Sequence, residues 1–311
     1  MDSDKFRHEC ERLTGDTFAA GRRLGLAVSG GPDSLALLIL AAKAFPGAIA
    51  AATVDHQLRA EAADEAAHAA AICSGLDVPH TILTPSAPIT GNLQSAARRE
   101  RYALLEEWRA ESRLAWVATA HHADDQLETM LMRLLRGSGV DGLAAIRPVN
   151  GHVIRPLLGC RKAELEAIVA AEGLTAIRDP SNEDDRFDRT TIRQALGALP
   201  DVAPDRIAQS TSAFREASEA LAWAAADQAE QRVRETADGL AFDPEGLPRE
   251  IVRRVVISCL DRIEPGRPPR GPALDELLKT LTEGKTRTMG AVLCRGGAIW
   301  QFALAPKRQH G

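Results

Sequence analysis

The chain is poor in lysine, which supplies six of its 38 basic residues, arginine supplying the rest. Its five cysteines (Cys10, Cys73, Cys160, Cys259 and Cys294) contain no C-x-x-C pair. Odd in number and scattered, they exclude a disulfide scaffold and a structural zinc site and fit reduced thiols in a cytoplasm. No apolar run is long enough to span a bilayer, so no membrane association is expected. The first ten residues, MDSDKFRHEC, lack the apolar core of a secretory signal. Repeats and low-complexity segments are missing too. Excess positive charge is absent: the net charge is −5, so the chain as a whole is not a polybasic nucleic-acid binder. What remains is the composition of an ordinary globular protein, 45% hydrophobic and 26% charged over 311 residues. That length allows one large domain or two smaller ones.

Against this background one loop stands out. Leu24 to Val28 is a short apolar run suited to a buried strand, and Leu35 to Ile39 has the pattern of a packed helix. Between them lies Ser29-Gly30-Gly31-Pro32-Asp33-Ser34. The glycines open backbone angles closed to other residues and leave room for a ligand against the main chain. The following helix turns its unpaired N–H groups and positive dipole end toward the same space, which makes an anion site, most often for phosphate. A P-loop would need a lysine to hold the outer phosphates, and from the loop onward none occurs until Lys43, well inside the following helix. The loop must therefore work with main-chain donors and the Ser29 and Ser34 hydroxyls. Asp33 can face a phosphate only across a cation, so Mg²⁺ is the expected metal and Asp33 its expected ligand. A plain helix N-cap at Ser29 or Asp33 is the alternative for the same residues.

The rest of the first half alternates strands and helices. Leu24–Val28, Ala48–Val54, Val78–Leu83 and Leu114–Ala120 read as strands; Leu35–Ala44, Glu61–Ser74, Leu93–Ser112 and Ala123–Arg136 read as helices. This rhythm predicts an α/β fold, a mostly parallel twisted sheet flanked by helices. Ligands gather at the carboxyl ends of such strands. The glycine loop, the pair Asp55-His56 and the pair His121-His122 each follow a strand. Further on, Arg161–Glu172 and Phe187–Leu199 read as helices, and Pro204 opens an alanine- and glutamate-rich helix running to about Ala237. A small α+β module follows, with helices at Arg249–Ile263 and Pro272–Leu281 and a hairpin about Arg295-Gly296-Gly297. The expected domains are a catalytic domain over 1–200, a helical linker over 201–239 and a small C-terminal domain over 240–311.

The segment ATAHHADDQLETMLMRLLRGSG concentrates the remaining chemistry. Projected as a helix, Leu127, Leu131, Leu134 and Leu135 form an apolar stripe opposite Gln126, Thr129, Arg133 and Arg136. Asp124 and Glu128 continue the apolar row and Asp125 borders it. Carboxylates there must face a cation, a metal or a pocket, because burying them unpaired costs several kcal/mol. They read as an active-site cluster rather than as partners of neighbouring arginines. His121 and His122, adjacent and without H-x-x-x-H spacing, are poor zinc ligands; a core role and an ATP contact stay equally open.

Taken in order, the motifs resemble a known family. They are S-G-G-P-D-S at Ser29–Ser34, V-D-H-x-L-R at Val54–Arg59, N-L-Q-x-x-A-R at Asn92–Arg98 and H-H-x-D-D-Q-x-E-T at His121–Thr129. R-G-S-G at Arg136–Gly139, R-P-L-L at Arg155–Leu158, D-P-S-N at Asp179–Asn182 and F-x-R-x-x-I-R at Phe187–Arg193 complete the set. The set is similar to the bacterial tRNA(Ile)-lysidine synthases, a family of ATP pyrophosphatases with the PP-loop fold, in the short form that lacks a further C-terminal domain. Thr190 departs from the asparagine common there. The resemblance implies ATP-dependent, AMP-forming attachment of L-lysine to C2 of the wobble cytidine (position 34) in the CAU-anticodon tRNA(Ile). It also implies ATP contacts at Ser29, Gly30, Gly31, Pro32, Asp33, Ser34, Asp55 and His56. Catalysis falls to Asp33, Asp124, Asp125, Glu128 and Arg193, and tRNA phosphates to Arg98, Arg189 and Arg193.

Two other classes compete. A sulfur-inserting tRNA enzyme would use the same loop but generally needs catalytic or cluster-binding cysteines. A non-catalytic nucleotide- or RNA-binding protein would not need the acids. In the C-terminal module Arg249, Arg253, Arg254, Lys285 and Arg287 are candidate phosphate contacts, with solubilising surface charge the alternative for each. The oligomeric state stays open, a homodimer included.

Overall fold

The computed structural model describes residues 1–57, 61–87, 93–177, 203–267, 269 and 271–306, the side chains of 93–95 excepted. They divide into two compact units, Met1–Phe214 and Arg215–Gly311.

The first unit runs α1 (Ser3–Thr14), β1 (Leu24–Ala27), α2 (Pro32–Ala44), β2 (Ile49–Val54), α3 (Ala62–Gly75) and β3 (His80–Leu83). It continues through α4 (Leu93–Glu111), β4 (Trp116–Ala118), α5 (Ala123–Leu135), the short α6 (Val140–Leu143), β5 (Val149–Asn150), β6 (Val153–Ile154) and α7 (Lys162–Ala171). Its sheet has the order β3-β2-β1-β4-β6-β5, parallel throughout except for the antiparallel edge strand β5. The chain steps from β1 outward to β2 and β3, then returns to add β4 on the other side of β1. That reversal opens a crevice beyond the carboxyl ends of β1 and β4, where such sheets bind ligands.

Strand alternation sends β1 side chains to two different helical layers. Leu24 and Leu26 join the core with Leu35, Leu37 and Leu38 of α2, Cys73 of α3 and Leu165 of α7. On the opposite face Ala27 packs with Ala50, Ala52, Leu105 and Trp108, the last two from α4. Gly25 is there because α4 presses on the strand: a Cβ on it would lie 2.9 Å from both Leu114 Cδ1 and Trp108 Cζ3.

Residues 3–14, to which the sequence reading assigned no element, are helical; Asp2 caps them by accepting the Lys5 N–H at 2.9 Å, and Phe6 and Cys10, one turn apart, are fully buried. The apolar stripe expected on α5 does not form a core, since Leu134 is 55% and Leu135 76% exposed while Gln126 and Glu128 are buried. Gln126 is held by main chain instead, donating to Ile146 O at 3.0 Å and accepting the Ile146 N–H at 2.7 Å.

The helix from Pro204, α8 (Pro204–Arg232), contains the division between the units and stops five residues before Ala237. Val233–Thr236 is strand β7, paired antiparallel with β8 (Gly239–Phe242). Cross-strand pairing of the β-branched Val233 and Thr236 overrides the helix propensity of the preceding run. The second unit adds α9 (Arg249–Ile263), α10 (Gly271–Thr282), β9 (Thr286–Met289), β10 (Val292–Arg295) and β11 (Trp300–Leu304). Its sheet is antiparallel in the order β7-β8-β11-β10-β9, with the expected hairpin at β10–β11. Phe242, Val255, Val256, Leu274, Leu277 and Phe302 fill its core. Among the described residues no helix is long and apolar enough to cross a membrane. The predicted helix Phe187–Leu199 and the turn Asp179–Asn182 lie outside the described residues.

Candidate active site

The glycine loop leaves β1 and turns into α2 with Gly31 as N-cap (φ −73°, ψ 162°) and Pro32 in the first turn, where its missing N–H costs nothing. Gly30 has φ +82°, a left-handed conformation that a side chain would strain, and a Cβ there would meet Ile177 Cδ1 at 2.7 Å. The Ile177 N–H donates to Gly30 O at 2.9 Å, so the chain after α7 is tied to the loop. Ser34 closes the loop on itself, accepting the Ser29 N–H at 3.1 Å and donating its hydroxyl to Gly31 O at 2.9 Å. The Ser29 and Ser34 hydroxyl oxygens are 3.2 Å apart. Asp33 sits in the first turn of α2 with Oδ1 buried and, among the described residues, without a hydrogen-bond partner.

Across the crevice, β4 leads into α5 through two histidines with opposite surroundings. His122, at the N-cap of α5, is 4% exposed and nearly ringed by acids. Its Nε2 lies 3.6 Å from Asp33 Oδ2 and 3.5 Å from Asp125 Oδ2, and its Nδ1 lies 3.4 Å from Asp124 Oδ2. Burial alone would drive its pKa down, but these carboxylates prevail and raise it to about 10, so the ring is an imidazolium at neutral pH. The glycine loop and the acidic turn of α5 thus meet on one buried cation. His121, the next residue back, is pushed down to about 3, first by burial and then by the charges of Arg155, Arg101 and Arg98. It is neutral, with Nδ1 2.9 Å from Thr119 Oγ1.

The expected site residues do not all stand alike. Asp33, Asp124 and Asp125 converge on His122. Asp124 also accepts from Arg161 Nη1 at 2.9 Å and from the Lys162 N–H at 2.8 Å, anchoring the start of α7. His122, then Lys162 and Arg161, hold its carboxyl well below the usual range. Asp125 accepts the His122 N–H at 3.0 Å, closing the α5 capping box. Glu128, one turn on from Asp124, is 6% exposed. Asp55, at the end of β2, uses Oδ1 to accept the Gln57 N–H at 2.8 Å. Beside it, burial and then Arg101 push His56 down, and its buried Nδ1 has no partner among the described residues. Arg98 is exposed, its guanidinium 5.2 Å from the centre of the Tyr102 ring. Arg189 and Arg193 lie outside the described residues.

Sequence reasoning missed the bridging role of His122 and the part of Tyr102 and Arg155. The signal for His122 was present, since its own N-cap position followed by Asp125 three residues later is a capping pattern that brings ring and acid together.

Among the described residues no group of three or more His, Cys, Asp or Glu side chains is arranged to hold a metal ion. The unpartnered Asp33 Oδ1 nevertheless fits Mg²⁺, which is commonly held by one or two carboxylates together with substrate phosphates.

Residues 3–199 match the PP-loop domain family. Over 297 residues the chain is 44% identical to a tRNA(Ile)-lysidine synthase from Zymomonas mobilis, covering 92% of this chain and 90% of that protein. The chain belongs to the tRNA(Ile)-lysidine synthase family. A second member, from Novosphingobium aromaticivorans, is 41% identical over 92% of this chain and 90% of its own length. The fold is also that of a U34-tRNA thiolase from Methanococcus maripaludis solved with its [4Fe-4S] cluster, at a TM-score of 0.55 and 17% identity over 68% of this chain and 78% of that one.

Against that fold relative, the cysteines here are all free and buried. Burial pushes the Cys73 and Cys160 thiols up to about 11, and Cys259 and Cys294 up to about 12. Thiols held protonated and away from solvent are neither nucleophiles nor cluster ligands. In the second unit, the arginines expected to meet phosphate carry acidic partners: Arg249 with Asp275 at 2.8 Å, Arg253 and Arg254 with Glu250 at 3.5 and 3.0 Å, and Arg287 with Glu276 at 3.5 Å. Lys285 is paired likewise, with Glu283 at 2.7 Å.

Proposed function

We propose that this tRNA(Ile)-lysidine synthase family member joins L-lysine to C2 of the wobble cytidine in the CAU-anticodon tRNA(Ile), using ATP and releasing AMP and pyrophosphate in the cytoplasm. Cytidine O2 attacks the α-phosphate of ATP and the bond to pyrophosphate breaks. The lysine amine then attacks C2, sheds a proton, and AMP departs with the O2 oxygen.

The observation that carries this reading is the shared contact on His122, which brings the phosphate-type loop and the acidic turn of α5 into one crevice. Main-chain donors of Gly30 and Gly31, with Ser29 and Ser34, suit the charge that develops on departing pyrophosphate. Asp33 would hold Mg²⁺, which supplies Lewis-acid stabilisation to the phosphate oxygens when bound. Asp125 and Glu128 receive the lysine ammonium, and one of them takes its proton, help worth about 10²–10⁴-fold in rate. Asp124, tied to Arg161 and Lys162, fixes the floor of this cluster and lends it charge. Arg98, Arg189 and Arg193 grip phosphates on either side of the extruded cytidine.

Purified protein with ATP, radiolabelled lysine and the CAU tRNA should incorporate lysine and release AMP and pyrophosphate. The same tRNA with its wobble cytidine replaced should take up none. Asp33→Asn and Glu128→Gln should each lower incorporation by at least about 10²-fold while tRNA binding persists. Incorporation that ignores the wobble base would refute the reading.

A further inference from the structure

The crevice is divided by charge, and the division falls between two consecutive residues. His122, with extended backbone (φ −129°, ψ −178°), turns to the acids. His121 is acted on by guanidinium charge instead, from Arg155 just past β6 and from Arg101 and Arg98 of α4.

These arginines have no acidic partner among the described residues. Arg98, Arg101 and Arg155 have no carboxylate within 4.0 Å among the described residues, in contrast to the acid-paired arginines of the second unit. Arg155 is only 4% exposed. Its Nη1 donates to Arg147 O at 2.6 Å and its Nη2 to the Tyr102 hydroxyl at 3.4 Å, while its buried Nε has no partner among the described residues. Tyr102, the only tyrosine of the chain, joins this interior arginine to the exposed one, since its ring carries the Arg98 guanidinium. Burial would push its phenol up, yet the Arg155 hydrogen bond and the surrounding cations hold it below its ordinary value. Two guanidiniums bridged by a phenol, one of them with a buried N–H that has no partner among the described residues, are costly until an anion arrives. Arginine forks match phosphate oxygens in geometry as well as charge.

We propose that Arg98 and Arg155, bridged by Tyr102, form with Arg101 of the same helix as Arg98 a phosphate-binding subsite on the α4 side of the crevice, separate from the glycine loop on the α2 side. Its ligand is a phosphate group, either a phosphodiester of the RNA substrate or a phosphate of the nucleotide. The inference rests on the functional reading above and assigns it a second anion contact, across the sheet edge from the acids that receive a cation.

The test measures binding rather than turnover, so the two readings fail separately. Arg98→Gln and Arg101→Gln, with Arg101→Lys as the charge-retaining control, are made in the full chain. A CAU anticodon stem-loop RNA is titrated by fluorescence anisotropy from 50 to 300 mM salt, and ATP by calorimetry. If the subsite holds an RNA phosphodiester, each glutamine variant binds RNA about tenfold more weakly, since one charge-assisted contact is lost. The slope of log affinity against log salt then flattens by about 0.7–0.9 per contact, and Arg101→Lys restores most of it. If it holds a nucleotide phosphate, the loss falls on ATP affinity and the RNA salt slope stays as in the wild type. Unchanged affinity for both probes in both glutamine variants overturns the subsite. Arg98 is exposed, so its variant reports even if Arg101→Gln fails to fold. Wild-type protein that binds RNA through these arginines yet incorporates no lysine would sink the functional reading and leave the subsite standing.

Discussion

Replacing His122 by glutamine removes the charge at the centre of the acid cluster while keeping a polar side chain of similar size. The shift of the ring from 6.5 to about 10 measures how strongly Asp33, Asp124 and Asp125 favour its charged form. At roughly 1.36 kcal/mol per pKa unit, the favourable coupling at pH 7 is about 4 kcal/mol. The three carboxylates are partly exposed, with 26–33% of their side-chain surface open to solvent, so screening reduces this to about 2–4 kcal/mol. A folded-state pKa above the unfolded one stabilises fully below pH 6.5, where the unfolded ring is charged too, and this contribution fades as the pH climbs through about 10. For a unit of 214 residues, His122→Gln should lower Tm by roughly 5–15 °C at pH 7, and the deficit should close by pH 10.5. Thermal melts by circular dichroism across that range give the comparison. Ring-nitrogen NMR provides a direct check, with His122 still doubly protonated at pH 8. A variant less than about 0.5 kcal/mol weaker at pH 7, or a gap that does not change with pH, would refute the bridging imidazolium.

The left-handed Gly30, packed against Ile177, predicts that Gly30→Ala costs about 1–2 kcal/mol locally and raises KM for ATP about tenfold; an unchanged KM in a pyrophosphate-release assay would show that the loop shape is not what binds the nucleotide. Buried, protonated thiols predict that Cys73→Ala and Cys160→Ala leave lysine incorporation within about threefold at a cost near 1 kcal/mol each. Well-folded variants without turnover would restore sulfur chemistry as a contender.

Much of the architecture was legible from local pattern. The strand-loop-helix at Ser29 and the strands ending before Asp55 and His121 needed only apolar runs and punctuation, and the parallel sheet followed from their alternation with helices. Local pattern failed where partners lie far away in sequence. The α5 leucines satisfy a helical period, yet Leu134 and Leu135 are exposed among the described residues, and main-chain bonds to Ile146 hold Gln126 inside. Helix propensity carried the reading of α8 past Arg232, whereas pairing of β7 with β8 decides where it ends. Asp124 read as a free catalytic acid, and the approach of Arg161 and Lys162 gives it an anchoring task as well.

By itself, the sequence determined which chemical groups exist and where the chain must turn: a lysine-free glycine loop, an acid-rich helix start, and arginine in place of lysine. These are properties of residue type and short spacing, set before the chain folds. Which charges meet was decided by tertiary structure alone. Placing β4 beside β1 puts His122 among three acids and brings the charges of Arg98, Arg101 and Arg155 to bear on His121. Electrostatic energy depends on distance through space and on burial, and neither can be read along the chain.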